Sequence, residues 1–178
     1  MIAKSQDVVV ALSLAVLSQG QSKRMAYGQL GEILCMSSSE AFKATQRLVR
    51  SKLVEPGGWR PLPGPLWDYL AYGVPHAFPG GIGGPTRGLP TAWAADPLVQ
   101  VMPQGSDLPP VWPWPEGRVR GHSVEPLFPS VPDAIKNLPG LYAPLALVDS
   151  LRVGRARDRE IARKMLKEFL SRDTPLAV

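Results

Sequence analysis

Apolar positions crowd nearly every side of Val8 to Leu17, and Ser5 followed by Gln6 and Asp7 offers an N-cap with an acid in the first turn. The pattern predicts a widely buried first helix with Val9, Leu12, Leu14 and Leu17 as core candidates and Gly20 as its end. After a polar link from Gln21 to Arg24, Met25 to Leu34 places Leu30, Ile33 and Leu34 on one face, a short second helix. Cys35 and Met36 then lead to Ser37, which stands three residues before Glu40 in the spacing of a capping box. Behind that cap, Ala41, Ala44, Leu48 and Val49 recur at helical spacing, while Ser38, Ser39, Lys43, Gln46, Arg47 and Arg50 take the other side. A third helix over 37–54 is expected, with donors and positive charge on its outer face and no carboxylate there. Two short helices joined by so tight a turn form a helix-turn-helix.

Beyond Val54, EPGGWRPL predicts a turn at Pro56, Gly57 and Gly58 with Trp59 and Arg60 on the returning side. Pro61 and Pro63 cannot donate to a ladder, so any hairpin here is very short. Pro65 to Tyr72 reads as another helix, with Leu66, Tyr69 and Leu70 inward and Gly73 stopping it. The character then changes, since 17 of the 20 prolines lie between Pro61 and Pro139. Regular helix and central strand are both disfavoured there. Phe78, Trp93, Leu98, Val101, Trp112, Trp114, Leu127 and Phe128 are nevertheless costly to leave in water, which predicts an ordered, extended arm packed on the helical core or on a second subunit. Within it, 116–120 (EGRVR) fits a short strand entered by a turn. Gly80 to Ala92 (GGIGGPTRGLPTA) has the composition of a phosphate-cradling loop without its Gly-Lys-Ser/Thr ending, and reads as a glycine-rich surface loop with Arg87 as an anion or acidic-partner contact. Two helices close the chain, Leu141–Leu151 and Ala156–Leu170. In the latter, Ile161, Met165, Leu166 and Phe169 form an apolar stripe opposite a face of mixed charge.

The run from Tyr27 to Val54, YGQLGEILCMSSSEAFKATQRLVRSKLV, resembles the reading head of bacterial winged helix-turn-helix regulators of the MarR-like type, in which a pattern such as LAxxLxMSxSxVxxxLxxLxxxGLV is usual. The resemblance extends over roughly residues 5–62 and implies a second helix across the DNA backbone, a third in the major groove and a two-stranded wing. Two positions depart from the pattern. Cys35 stands where glycine is common, and Lys52 replaces the small residue before the final Leu-Val. A second stretch, LVDSLRVGRARDRE, is similar to a Leu-x-x-Gly-Arg-x-Arg-Asp segment near the end of nucleotidyltransferase-type proteins of toxin-antitoxin modules. The paired carboxylates of that active site have no counterpart upstream, so the activity is not carried over.

The expected fold class is therefore mainly α (α+β): a winged helix-turn-helix over 1–73, the proline-rich arm over 74–140, and a helical hairpin over 141–178 whose apolar stripe suits dimerisation. At 178 residues and 44% hydrophobic content the chain is long enough to bury a core. The formal charge of +5 favours polyanionic partners, and its distribution sharpens this. Residues 1–60 carry eight Lys/Arg against four Asp/Glu, 61–140 four against six, and 141–178 eight against five.

One cysteine excludes an internal disulfide, and no metal-ligand spacing is present, so neither cofactor nor metal is expected. Without a signal peptide or an apolar run of about 20 residues, the chain is expected in the cytoplasm with no membrane partner. The scattered acids offer no nucleophile and base, which argues against an enzyme.

The leading expectation is a sequence-specific regulator that binds double-stranded DNA as a homodimer on an inverted repeat. Ser39, Lys43 and Gln46, with Ser38 beside them, face base edges and Phe42 a thymine methyl. Arg47, Arg50, Lys23, Arg24 and Tyr27 contact phosphates, and Arg60 extends from the wing. The alternative is a protein-interaction or antitoxin-like subunit of a toxin-antitoxin or defence system, gripping a partner protein through 74–140.

Overall fold

The computed structural model describes residues 3–19, 23–102, 105 and 107–171. Gly20 and Gln21, the expected helix end and the start of the polar link, lie outside them. The architecture is mixed α and β, mostly helical, with a small three-stranded sheet inserted between the N-terminal and C-terminal helices.

Helix α1 (Ser5–Ser18) is buried from Asp7 to Ala15, as its all-round apolar pattern requires. Its N-cap is Lys4, one residue earlier than expected, because the Asp7 carboxylate accepts the Lys4 N–H at 3.0 Å. Helix α2 (Tyr27–Leu34) starts two residues later than its apolar pattern suggested. It ends at Cys35, whose φ of 52° lies in the left-handed region; the Cys35 N–H bonds Glu32 O and the Met36 N–H bonds Gly31 O. The residue that departs from the usual glycine thus still adopts the glycine conformation.

Helix α3 (Ser38–Arg50) opens on the expected reciprocal cap, with Glu40 N–H on Ser37 Oγ at 3.1 Å and Ser37 N–H on Glu40 Oε2 at 3.1 Å. It stops at Arg50 rather than running to Val54. Lys52, at φ 56°, turns the chain, and the Leu53 N–H returns to Leu48 O at 3.0 Å. A minimal hairpin follows: Val54 bridges Pro61, Glu55 N–H bonds Arg60 O at 2.9 Å, and Gly58 takes the tip at φ 69°. Trp59 is buried beneath it.

The helix expected to stop at Gly73 instead continues, through α4 (Pro63–Asp68), a π-helical turn (Tyr69–Gly73) and α5 (Val74–Ala77). Pro75 cannot join an ordinary α ladder, because its ring would meet the carbonyl four residues back; the wider π turn just before it moves that carbonyl away.

The glycine-rich segment is a strand rather than a surface loop. Strand β1 (Ile82–Pro90) pairs antiparallel with both β2 (Pro110–Pro113) and β3 (Val119–Val124), while β2 and β3 pair in parallel, so three strands close on themselves. So tight a closure leaves backbone where side chains would stand. A Cβ on Gly88 would lie 2.0 Å from Trp112 O, and one on Gly121 would lie 2.2 Å from Pro109 O.

Helix α6 (Val131–Asn137) then docks on the end of α2, where Ser130 Oγ donates to Leu34 O at 2.7 Å and Asn137 Nδ2 to Ile33 O at 3.0 Å. These bonds satisfy carbonyls that a helix C-terminus leaves open.

Helices α7 (Tyr142–Val153) and α8 (Ala156–Leu170) complete the chain. One continuous apolar cluster runs from Val8 through Leu48, Leu70, Trp112 and Leu145 to Leu170, so the arm packs on the helices of the same chain. The stripe of α8 contributes Leu166 and Phe169 to that cluster, with Ile161 and Met165 packed at its margin.

The arm is locked to α7 by a buried polar node. Asp149, 1% exposed, accepts from Trp112 Nε1 at 2.6 Å, Thr91 Oγ1 at 2.8 Å and an Arg152 guanidinium nitrogen at 2.6 Å. Arg152 in turn donates to Phe78 O at 2.9 Å and Glu125 O at 3.1 Å. Burial pushes the Asp149 carboxyl up, and Arg152, Thr91 and Trp112 pull it back. The LRVGRARD stretch is accordingly a structural corner, in which Asp158 caps α8 by accepting the Arg155 N–H at 2.8 Å.

Candidate nucleic-acid interface

The outward face of α3 carries Ser38, Ser39, Phe42, Lys43 and Arg50 exposed, with Gln46 half-buried. It is the face opposite Ala41, Ala44 and Leu48, all of which are at most 1% exposed, so burial of the apolar stripe dictates which side chains face solvent. The capping box sets the start of this helix. Its hydrogen bonds from the Ser37 backbone and hydroxyl hold the Glu40 carboxyl below the usual carboxylate range.

Around α3 the structure gathers most of the residues that sequence pointed to. The Tyr27 and Phe42 rings meet edge to face with centroids 5.1 Å apart. Arg24 lies over the Tyr27 ring at 4.6 Å and donates to Gly57 O at 2.9 Å. Arg24, Tyr27 and Phe42 therefore join α2, α3 and the hairpin tip in one chain of contacts. Lys23 and Arg60 are exposed nearby in sequence to these contacts, and the Arg60 N–H bonds Glu55 Oε1 at 3.3 Å. Phe42 remains 45% exposed, an uncommon investment for a large apolar ring on a polar helix face. Among the described residues, Lys23, Arg24, Lys43, Arg50 and Arg60 have no carboxylate within salt-bridge distance.

Arg47 is the correction. Its guanidinium grips Asp7 through both carboxylate oxygens, with Nε at 2.8 Å from Oδ2, and the two side chains are 11% and 2% exposed. The hydrogen bonds it donates to Asp7 hold the arginine still more firmly protonated. It bolts α3 to the start of α1 and is not free to meet a phosphate. Arg24, expected on phosphate, is likewise engaged at the hairpin, although it stays exposed.

Sequence reasoning named neither Asp7 as the partner of Arg47 nor Gly57 as the anchor of Arg24. The signal for the first was an acid placed in the first turn of an otherwise apolar helix. The second partner is a backbone carbonyl, which carries no signal in sequence at all.

Among the described residues no group of three or more His, Cys, Asp and Glu side chains could hold a metal ion. No helix among them is long and apolar enough to cross a membrane. Comparison with protein-family models, with curated proteins and with solved structures finds no match to this chain.

Proposed function

We propose that the chain is a sequence-specific, double-stranded DNA-binding transcriptional regulator whose residues 5–62 act as a winged helix-turn-helix, working as a homodimer on an inverted repeat. The observation that carries this reading is the outer face of α3, on which Lys43 and Arg50 have no carboxylate partner among the described residues and Phe42 stands exposed beside Gln46. Lys43 and Gln46 have the donors that read guanine and adenine edges in a major groove, Ser39 adds an adaptable hydroxyl, and Phe42 suits a thymine methyl. Arg50, Lys23 and Arg60 are the phosphate contacts. Tyr27 and Arg24 brace the hairpin against the helix, and Arg47 holds the helix on α1.

The test is selection of bound fragments from the source genome, followed by affinity and salt titrations on the selected duplex. Arg50→Ala is expected to weaken binding evenly across sequences and to lower the salt slope by about 0.9, whereas Lys43→Ala relaxes discrimination at one base position by about 1–3 kcal/mol. Enrichment of no fragment, or both variants binding like the unaltered chain, refutes the assignment.

A further inference from the structure

Strands β1 and β3 bring two arginines into register. Arg87 is the direct partner of Arg120 across the antiparallel pair, and Pro85 partners His122 two positions on. Directly opposed residues project on the same face with Cβ atoms about 5 Å apart, where like charges repel. Both arginines are exposed, and so is Arg118, two residues before Arg120. None of the three has a carboxylate within salt-bridge distance among the described residues. Glu116, the acid closest to them in sequence, is held by Lys136 at 2.6 Å. The two arginines thus stand exposed and opposed, with no carboxylate among the described residues within salt-bridge distance.

We propose that the face of β1 and β3 bearing Arg87 and Arg120, with Arg118 at its end, docks the phosphate backbone of a nucleic-acid duplex. The choice of a duplex rests on the reading of the chain as a DNA-binding protein; the residues are separate from those of α3. Guanidinium forks match phosphate oxygens in geometry and in charge. An acidic protein would need an apolar anchor at the patch centre, and here the centre is two opposed guanidiniums.

The experiment measures fluorescence anisotropy of a labelled duplex with the full chain between about 50 and 200 mM salt. Removing two phosphate contacts in Arg87→Gln/Arg120→Gln is expected to lower the salt slope by about 1.8, so that the unaltered chain loses roughly 12-fold more affinity than the variant over that range. Arg118→Gln alone is expected to lower the slope by about 0.9. Relief of repulsion should leave the thermal melts of these variants no lower than that of the unaltered chain. An unchanged slope in both variants overturns the proposal. So does binding of polyglutamate that depends on Arg87 and Arg120 while the duplex slope stays fixed. Lys43→Gln/Arg50→Gln separates the two readings: loss there alone retains α3 and overturns the sheet face, and loss at the sheet face alone does the reverse. Absence of any duplex binding overturns both.

Discussion

Replacing Arg47 by methionine isolates what the ion pair with Asp7 contributes. Methionine keeps most of the aliphatic volume and removes the guanidinium, so the Asp7 carboxylate, 2% exposed, loses its charged partner. Breaking a buried pair from one side costs about 3–5 kcal/mol. Two compensations remain, the Lys4 N–H at 3.0 Å and the N-terminal end of α1. Together they return roughly 1–2 kcal/mol, which leaves a net loss of about 2–3 kcal/mol. For a chain of this size that lowers Tm by about 4–12 °C. Urea denaturation followed by circular dichroism measures it. Asp7→Ala/Arg47→Met removes both charges and should show a coupling energy of about 1–3 kcal/mol relative to the single variants. On DNA, the folded Arg47→Met protein should keep its salt slope, whereas a lost phosphate contact would lower it by about 0.9. A stability change under about 0.5 kcal/mol, or a slope that falls as it would for Arg50, refutes the assignment of Arg47 to the scaffold.

Three further outcomes follow from the packing. Ser37→Ala should cost about 1 kcal/mol at neutral pH through loss of the cap. Because the fold favours the charged form of Glu40, its contribution is complete above 4.5 and fades as pH falls through the lowered folded value; Ser37→Ala makes that acid loss shallower, readable in denaturation midpoints against pH. Gly88→Ala would set a Cβ 2.0 Å from Trp112 O, so thermal melting should show a loss of about 3 kcal/mol or more, and a neutral result would contradict the closed strand arrangement. The Tyr142 hydroxyl donates to Pro90 O at 2.6 Å and burial pushes its pKa up to about 12. The fold therefore favours the neutral phenol, stability from it is complete below 10.0 and is lost as pH rises toward about 12, and Tyr142→Phe should remove that alkaline component.

What could be read from sequence was what neighbours in the chain decide. The Ser37 to Glu40 cap, the burial of Val9 and Leu12, the left-handed demand at Cys35 and the helices near 142–153 and 156–170 all depend on residues within a few positions of one another. Of the arm's strands, only the start of β3 fell within the short strand expected at 116–120; β1 and β2 were hidden for a different reason. Sheet signals in sequence come from apolar residues alternating into a core, and this closure has backbone at Gly88 and Gly121 where such residues would stand. Composition therefore looked like a loop while the fold needed glycine for contact. Pairing of Asp7 with Arg47 across 40 positions, and of Asp149 with Trp112 across 37, had no local signature either. A basic face on a helix announces exposed charge equally for arginines that stay free and for one that turns inward.

The arm also bears on how α3 is held. Ser130 and Asn137, at the start and end of α6, bond the last carbonyls of α2, and the same Asn137 Nδ2 lies 3.5 Å from Cys35 Sγ in the turn that aims α3. Arg47 fixes the far half of α3 to α1, and Arg24 fixes the hairpin to Tyr27 and through it to Phe42. Helix α3 is thus constrained at its turn by the arm, near its C-terminus by α1, and at Phe42 through Tyr27 and Arg24 by the hairpin. Each constraint joins segments distant in sequence, and none uses Lys43, Gln46 or Arg50. From the arm, Ser130 and Asn137 hold the end of α2 and the turn before α3, and the exposed side chains Lys43 and Arg50 take no part in these contacts. The turn at Cys35, held in the left-handed region without glycine, gains support from Asn137, 102 positions away in sequence.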